Sequence, residues 1–127
     1  LIGEIMTTLA ASRGAAGFVI DGAIRDSGAI SQGAFPVFAR SAIHLGPYKD
    51  GPGAINVPAN IGGMVVSPGD IVVGDEDGVV AFPAADAANL LAAVKAQEAR
   101  EAEIMLSIQE NRYQGAYART VSATGAQ

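Results

Sequence analysis

Four short apolar runs follow one another across residues 55–82: Ile55-Asn56-Val57, Met64-Val65-Val66, Ile71-Val72-Val73 and Val79-Val80-Ala81-Phe82. Pro68-Gly69-Asp70 and Glu76-Asp77-Gly78 part the later runs with residues that favour turns. Runs of this length, rich in β-branched residues and bounded by glycine and proline, read as strands. Immediately afterwards Pro83 opens an alanine-rich stretch that reads as one long helix to about Asn111. Strands followed by a single long helix restrict the chain to a mixed α and β fold.

The first third agrees with that class. Residues 4–13 read as a helix stopped by Gly14, which suits the left-handed position after a helix. Gly17-Phe18-Val19-Ile20-Asp21 reads as a strand ended by Gly22, and a turn or short helix follows through Arg25, Asp26 and Ser27. Phe35-Pro36-Val37-Phe38-Ala39 reads as a second strand, with Pro36 at its beginning or on an edge. Two prolines and three glycines make residues 45–53 a loop. The last dozen residues, 116–127, are small and polar and read as a flexible tail. The chain opens at Leu1 and enters a helix almost at once, so upstream sequence is expected to be missing.

With 127 residues, half of them hydrophobic, the chain has enough for one domain with a modest core. It contains no cysteine, which removes disulfides, thiolate nucleophiles and Cys-based zinc sites and is compatible with a cytoplasmic location. A net charge of −5 without any basic run argues against a nucleic-acid partner. No run of apolar residues is long enough to suggest a membrane span.

Chemistry can be sought at a few positions. Arg25 and Asp26 lie on a glycine-punctuated turn just past a strand, where ligands of open α/β folds tend to bind. The guanidinium could grip a carboxylate through its planar donors while Asp26 holds a hard cation; a local ion pair or a helix cap explains the same two residues. Glu4 lies in the first turn of a helix, where the amides of Glu4, Ile5 and Met6 could cradle an anion. The plainer reading is an ordinary first-turn acid, since acidic residues are common there. On the long helix the stripe Leu90, Val94, Met105, Ile108 continues through Glu98 and Glu101, two carboxylates that would need a partner if that face were buried; a solvated flank is the alternative. His44, the only histidine, beside a Gly/Pro loop, reads as surface or structural. Asp75-Glu76-Asp77-Gly78 lacks the length and terminal Glu of a calcium loop and reads as a hairpin turn, and Gly62-Gly63 reads as a bend. Without cysteine or paired histidines, any metal would be oxygen-ligated, and Mg²⁺ or Mn²⁺ fits better than zinc.

Several blocks in order resemble the RraA-like family: Gly3-Glu4-Ile5, Gly17-Phe18-Val19-Ile20-Asp21-Gly22-Ala23-Ile24-Arg25-Asp26, Phe35-Pro36-Val37-Phe38-Ala39-Arg40, Gly53-Ala54-Ile55-Asn56-Val57-Pro58, Gly62-Gly63-Met64-Val65-Val66, and the run from Pro68 to Val79. That family includes 4-hydroxy-4-methyl-2-oxoglutarate/4-carboxy-4-hydroxy-2-oxoadipate aldolases and regulators of ribonuclease E activity. The resemblance implies a swivelling β/β/α fold, a layered mixed sheet with a long C-terminal helix, of which residues 1–115 would form the C-terminal portion. Its aldolases share an acidic residue, twenty intervening residues and Arg-Asp; Glu4 and Arg25-Asp26 keep that spacing, with Glu where the family's best-known members have Asp. By resemblance Asp26 holds Mg²⁺ or Mn²⁺, Arg25 binds pyruvate oxygens, Gly3, Glu4, Ile5 and Met6 contact substrate, and Glu4 orients metal-bound water. A C-terminal glutamate of a neighbouring subunit, Glu101 or else Glu98, completes the site in a trimer or hexamer. The implied activity is class II pyruvate aldolase with an oxaloacetate decarboxylase side reaction, and the rival is a non-catalytic regulator. Lys49 and Lys95 lie in no motif that would support a Schiff base.

Overall fold

The computed structural model describes residues 2–47, 50–115 and 118. The architecture is α/β, ending in a long helix. The chain divides into two units, residues 1–84 and 85–127.

The first unit begins with helix α1 (Glu4–Ser12). Its end is a Schellman motif: the Gly14 amide donates to Ala11 O and the Ala15 amide to Ala10 O, with Gly14 at φ +84°. Strand β1 (Phe18–Ile24), the short helix α2 (Ser27–Ser31) and strand β2 (Val37–Ala42) follow. β1 and β2 pair in parallel, and the Phe18 amide donates to Pro36 O, so Pro36 sits just ahead of its strand where its missing N–H costs nothing. Gly17 lets the two chains approach there, since a Cβ on it would lie 2.9 Å from Pro36 Cγ and O. Phe18 and Phe35 pack edge to face with ring centroids 5.3 Å apart.

Two hairpins complete this unit: β3 (Ala59–Ile61) with β4 (Met64–Val66), and β5 (Ile71–Gly74) with β6 (Val79–Phe82). Gly62 and Gly63, at φ +63° and +88°, form the tight turn between β3 and β4. Asp75 closes the second hairpin by accepting from the Asp77 and Gly78 amides through Oδ1, as the turn reading requires. Strand content is thus mixed, one parallel and two antiparallel pairs.

Two strand expectations are corrected. Gly22 does not end the first strand, because a bulge absorbs it and pairing continues to Ile24. Ile55-Asn56-Val57 is not a strand: Asn56 turns the chain at φ +56°, which an extended ladder excludes, and the hairpin strand begins at Ala59 instead.

A single 3₁₀ turn (Ala84–Asp86), which begins at the last residue of the first unit, leads into α3 (Ala87–Gln109) of the second. This helix also ends in a Schellman motif, with Asn111 left-handed at φ +55° and the Arg112 amide donating to Ser107 O. Arg112 binds Glu103 and Glu110, bracing the last turn. The apolar stripe of Leu90, Val94, Met105 and Ile108 is not buried, each side chain being between 41 and 58 % exposed. A helix buries a stripe only against another element, and among its described residues this unit holds no other helix or strand longer than that one turn. No helix among the described residues is long and apolar enough to cross a membrane. The expected flexible tail, residues 116–127, lies outside the described residues except for Ala118.

Candidate functional site

The end of β1 is held on both sides. Ile2 forms a parallel bridge with Ile24, the Arg25 amide donates to Ile2 O at 2.8 Å, and on the other flank the Ile43 amide donates to Ile24 O at 2.9 Å. Ile24, 7 % exposed, is the buried apolar side chain among the described residues. Three parallel chain segments therefore end together, and α1 starts from the same edge. Ligand sites of α/β folds form where strand carboxyl ends meet a helix N-terminus, because amides and loop side chains converge there.

Asp26 leaves this edge in a left-handed conformation, φ +55° and ψ +33°. By position it precedes α2, and its carbonyl accepts from the Ile30 amide at 3.0 Å. Its side chain does not cap α2. Oδ2 reaches α1 instead and accepts from the Glu4 amide at 3.1 Å. The left-handed turn is what aims the carboxylate backwards across the chain. Gly3 makes room for it, since a Cβ there would lie 2.6 Å from Asp26 Oδ2. An anion does sit at the α1 N-terminus, and it is the protein's own. The Glu4 amide is engaged by Asp26 and the Met6 amide by Gly3 O at 3.1 Å, so two of the three amides expected as an anion cradle already have partners.

Arg25 and Asp26 do not pair with each other. The ion pairs among the described residues are Asp21–Arg40, Arg112–Glu103 and Arg112–Glu110. The half-buried Arg25 faces an open depression of about 650 Å³, lined also by Asp26, Ser27, Gly28, Ile43 and His44. A cation with no counter-ion among the described residues, beside a carboxylate with one oxygen unengaged by them, can take a ligand that is anionic on one side and cation-bridged on the other. A separate cavity of about 310 Å³ among Val19, Ile61, Met64, Val66, Val79 and Ala81 has no charged residue in its lining.

His44 is the lining residue that sequence reasoning placed outside the site. It follows β2 as Arg25 follows β1, and parallel pairing carries both strand ends to one edge. Reading the two strands as parallel neighbours would have found it. Glu4 is exposed at the start of α1 with its side chain toward solvent. Glu98 and Glu101 belong to the second unit, both exposed on α3; Glu101 accepts from Gln97 Nε2 at 2.7 Å, one turn away. Among the described residues no three His, Asp or Glu side chains converge in a metal-binding group. The donors present still suit a hard divalent ion, because Mg²⁺ keeps most of its waters and needs only one or two carboxylates.

The chain is similar to known proteins over most of its length. The RraA-like family model, described as Aldolase/RraA, matches residues 1–81, which contain every residue of the depression. A Halalkalibacterium halodurans protein, provisionally named a 4-hydroxy-4-methyl-2-oxoglutarate aldolase, is 39 % identical over 111 residues, 87 % of this chain and 53 % of its own. The 4-hydroxy-4-methyl-2-oxoglutarate aldolase of Thermus thermophilus is 34 % identical over 65 % of this chain and 51 % of its own. Among solved structures, Streptomyces coelicolor RraAS2, described as an unusual member of the RNase ES inhibitor RraA protein family, superposes with a TM-score of 0.70 at 29 % identity, covering 79 % of this chain and 52 % of that one. The chain spans about half the length of these relatives. Its ordered motifs, its α/β architecture and the matched residues around Arg25 and Asp26 make it a member of the RraA-like family.

Proposed function

We propose that this chain carries the Arg25–Asp26 part of the site of a divalent-metal-dependent pyruvate aldolase, acting on 4-hydroxy-4-methyl-2-oxoglutarate-type substrates and decarboxylating oxaloacetate as a side reaction. The observation that carries the reading is the Arg25 guanidinium, which has no ion-pair partner among the described residues, beside Asp26, whose Oδ2 is spent on α1 and whose Oδ1 has no hydrogen-bond donor among them. Family members named as aldolases add support.

Asp26 Oδ1 would hold Mg²⁺ or Mn²⁺, with Glu4 next to it on α1. The ion would supply Lewis-acid polarisation of the 2-oxo group. Arg25 donates to the substrate carboxylate and oxo oxygens, and its fixed charge stabilises the negative charge that grows on the oxo oxygen. The Glu4 carboxylate, or a water that it orients, would accept the proton of the 4-hydroxyl oxygen. As that proton leaves, the C4–O bond becomes a carbonyl, the C3–C4 bond breaks, and its electron pair becomes the enolate of pyruvate; protonation at C3 completes the cleavage. Loss of CO₂ from oxaloacetate delivers the same enolate, which is why one site serves both reactions. In this reading the chain is the C-terminal portion of an RraA-like domain, and a trimer or hexamer brings Glu101, or Glu98, of a neighbouring subunit to the metal.

Pyruvate release from both substrates, followed with lactate dehydrogenase, tests the proposal. Activity should need Mg²⁺ or Mn²⁺, disappear with EDTA, and be abolished by Asp26→Ala. Undiminished turnover in Asp26→Ala would sink the site. The likeness to Streptomyces RraAS2 favours one second reading, a regulator that binds a ribonuclease. Ribonuclease inhibition by the full chain without any turnover would select it.

A further inference from the structure

The pairing of β1 with β2 contains one extra residue. Ile20 pairs with Ala39 and Ala23 with Ser41, three steps on one strand against two on the other, so Asp21 and Gly22 together face Arg40. Side chains alternate along a strand, so a one-residue insertion inverts the phase of everything after it. Ala23 consequently shares the face of Ile20, and Ile24 and Arg25 point opposite to the directions an unbroken strand would give them. The orientation of the Arg25–Asp26 edge is therefore set at the bulge, four and five residues upstream.

Something must hold a bulge in place, because the alternative register restores a regular ladder. Here it is the side chain of Asp21. One carboxylate oxygen binds Arg40 Nε directly across the bulge, and the other accepts from the Gly62 amide at 2.9 Å, in the turn between β3 and β4. One carboxylate thus joins β1, β2 and the first hairpin at the point where the phase changes. The pair is open to solvent, with Asp21 29 % and Arg40 62 % exposed. Ion pairs in that setting add little to stability, so a geometric role can be separated from a structural one.

We propose that Asp21 and Arg40 are positioning residues, whose ion pair, together with the Gly62 amide, locks the bulge that sets the direction of Arg25 and Asp26. The inference rests on reading Arg25 and Asp26 as the ligand-binding pair, and its test has an arm independent of catalysis. Amide hydrogen exchange of the full chain is compared between wild type, Asp21→Ala and the milder Asp21→Asn and Arg40→Gln. The amides of Arg25 (to Ile2 O) and Glu4 (to Asp26 Oδ2) lie beyond the bulge; that of Phe18 (to Pro36 O) lies before it.

Protection at Arg25 and Glu4 should fall about tenfold in Asp21→Ala while Phe18 is unchanged, since local opening can be lost without global unfolding. Asp21→Asn, which keeps an acceptor for Gly62, should recover part of it. Equal change at all three amides, or none, overturns the proposal whether or not the protein is an aldolase. In the turnover arm, kcat should drop on the order of 10²-fold, the scale of a misplaced catalytic group, with KM moving far less. Absence of wild-type turnover would leave the exchange result alone to decide the positioning role.

Discussion

Gly3→Ala is a sharp probe of the site, because it adds one methyl group and changes nothing else. Gly3 has φ −138° and ψ −171°, an extended conformation open to any residue, so alanine brings no backbone strain. The new Cβ would lie 2.6 Å from Asp26 Oδ2 and 3.5 Å from Arg25 Cβ. An ordinary carbon–oxygen contact is longer by roughly 0.6 Å or more, and the carboxylate must retreat by about that distance. Retreat breaks the 3.1 Å hydrogen bond from the Glu4 amide, the cap that α1 draws from outside its own sequence. A hydrogen bond to a charged group contributes about 1.5–3 kcal/mol. Against this, replacing glycine at a compatible position stabilises by about 0.4–1 kcal/mol through the unfolded chain. The net expectation is a loss of about 1–2 kcal/mol, read as a lower urea midpoint at unchanged m-value. Metal-dependent pyruvate release should fall up to about 10²-fold, since Asp26 is displaced by a sizeable part of an ångström. Gly53→Ala, whose Cβ would meet nothing within 4 Å, is the control and should stay within about 0.5 kcal/mol. A Gly3→Ala protein as stable as wild type, with unaltered turnover, would refute the account of Asp26 as a close-packed cap.

Two further outcomes follow from the packing and the charges. Gly74→Ala would place a Cβ 2.6 Å from Phe38 Cζ and 2.7 Å from Cε2, so β5 and β2 must part or the ring must turn; we expect a loss of about 1–3 kcal/mol in urea unfolding, partly recovered by Phe38→Leu in the same chain. The Arg40 guanidinium beside Asp21, with the Gly62 amide next, holds the Asp21 carboxyl below the usual aspartate range. A depressed folded-state pKa means a contribution fully present above the unfolded value near 4 and lost as pH falls through the folded one. The carboxyl carbon resonance of Asp21 should therefore titrate below that range, and Arg40→Ala should move its midpoint up; identical midpoints in both proteins would contradict the clamp.

Local signals were readable wherever neighbouring residues settle the geometry. Gly14 stops α1 and the Glu76-Asp77-Gly78 turn closes its hairpin as the sequence predicts, because a left-handed residue or a side chain bonding its own backbone acts within four positions. Errors arose where a distant partner overrides the local cue. Gly22 looked like a strand end, yet pairing with β2 carries the strand past it, and the β-branched run at Ile55 gives way to the left-handed Asn56. The α3 stripe left burial or solvent exposure open, because hydrophobic periodicity says which side of a helix is apolar and not whether anything covers it; the structure leaves it exposed.

The candidate site divides along the same line. By itself the sequence determined the α/β class, the family, and the spacing that links Glu4 to Arg25-Asp26, since residue types and intervals survive without coordinates. Only the tertiary structure decided that Asp26 turns back onto the α1 amide, that Arg25 has no ion-pair partner among the described residues, that His44 shares their edge, and that a bulge precedes them in β1. Those facts depend on contacts between residues 22 and 41 positions apart, Glu4 with Asp26 and Asp21 with Gly62, which no local pattern encodes. Strand pairing and a left-handed turn bring them together, and the chemistry of the edge follows from that proximity.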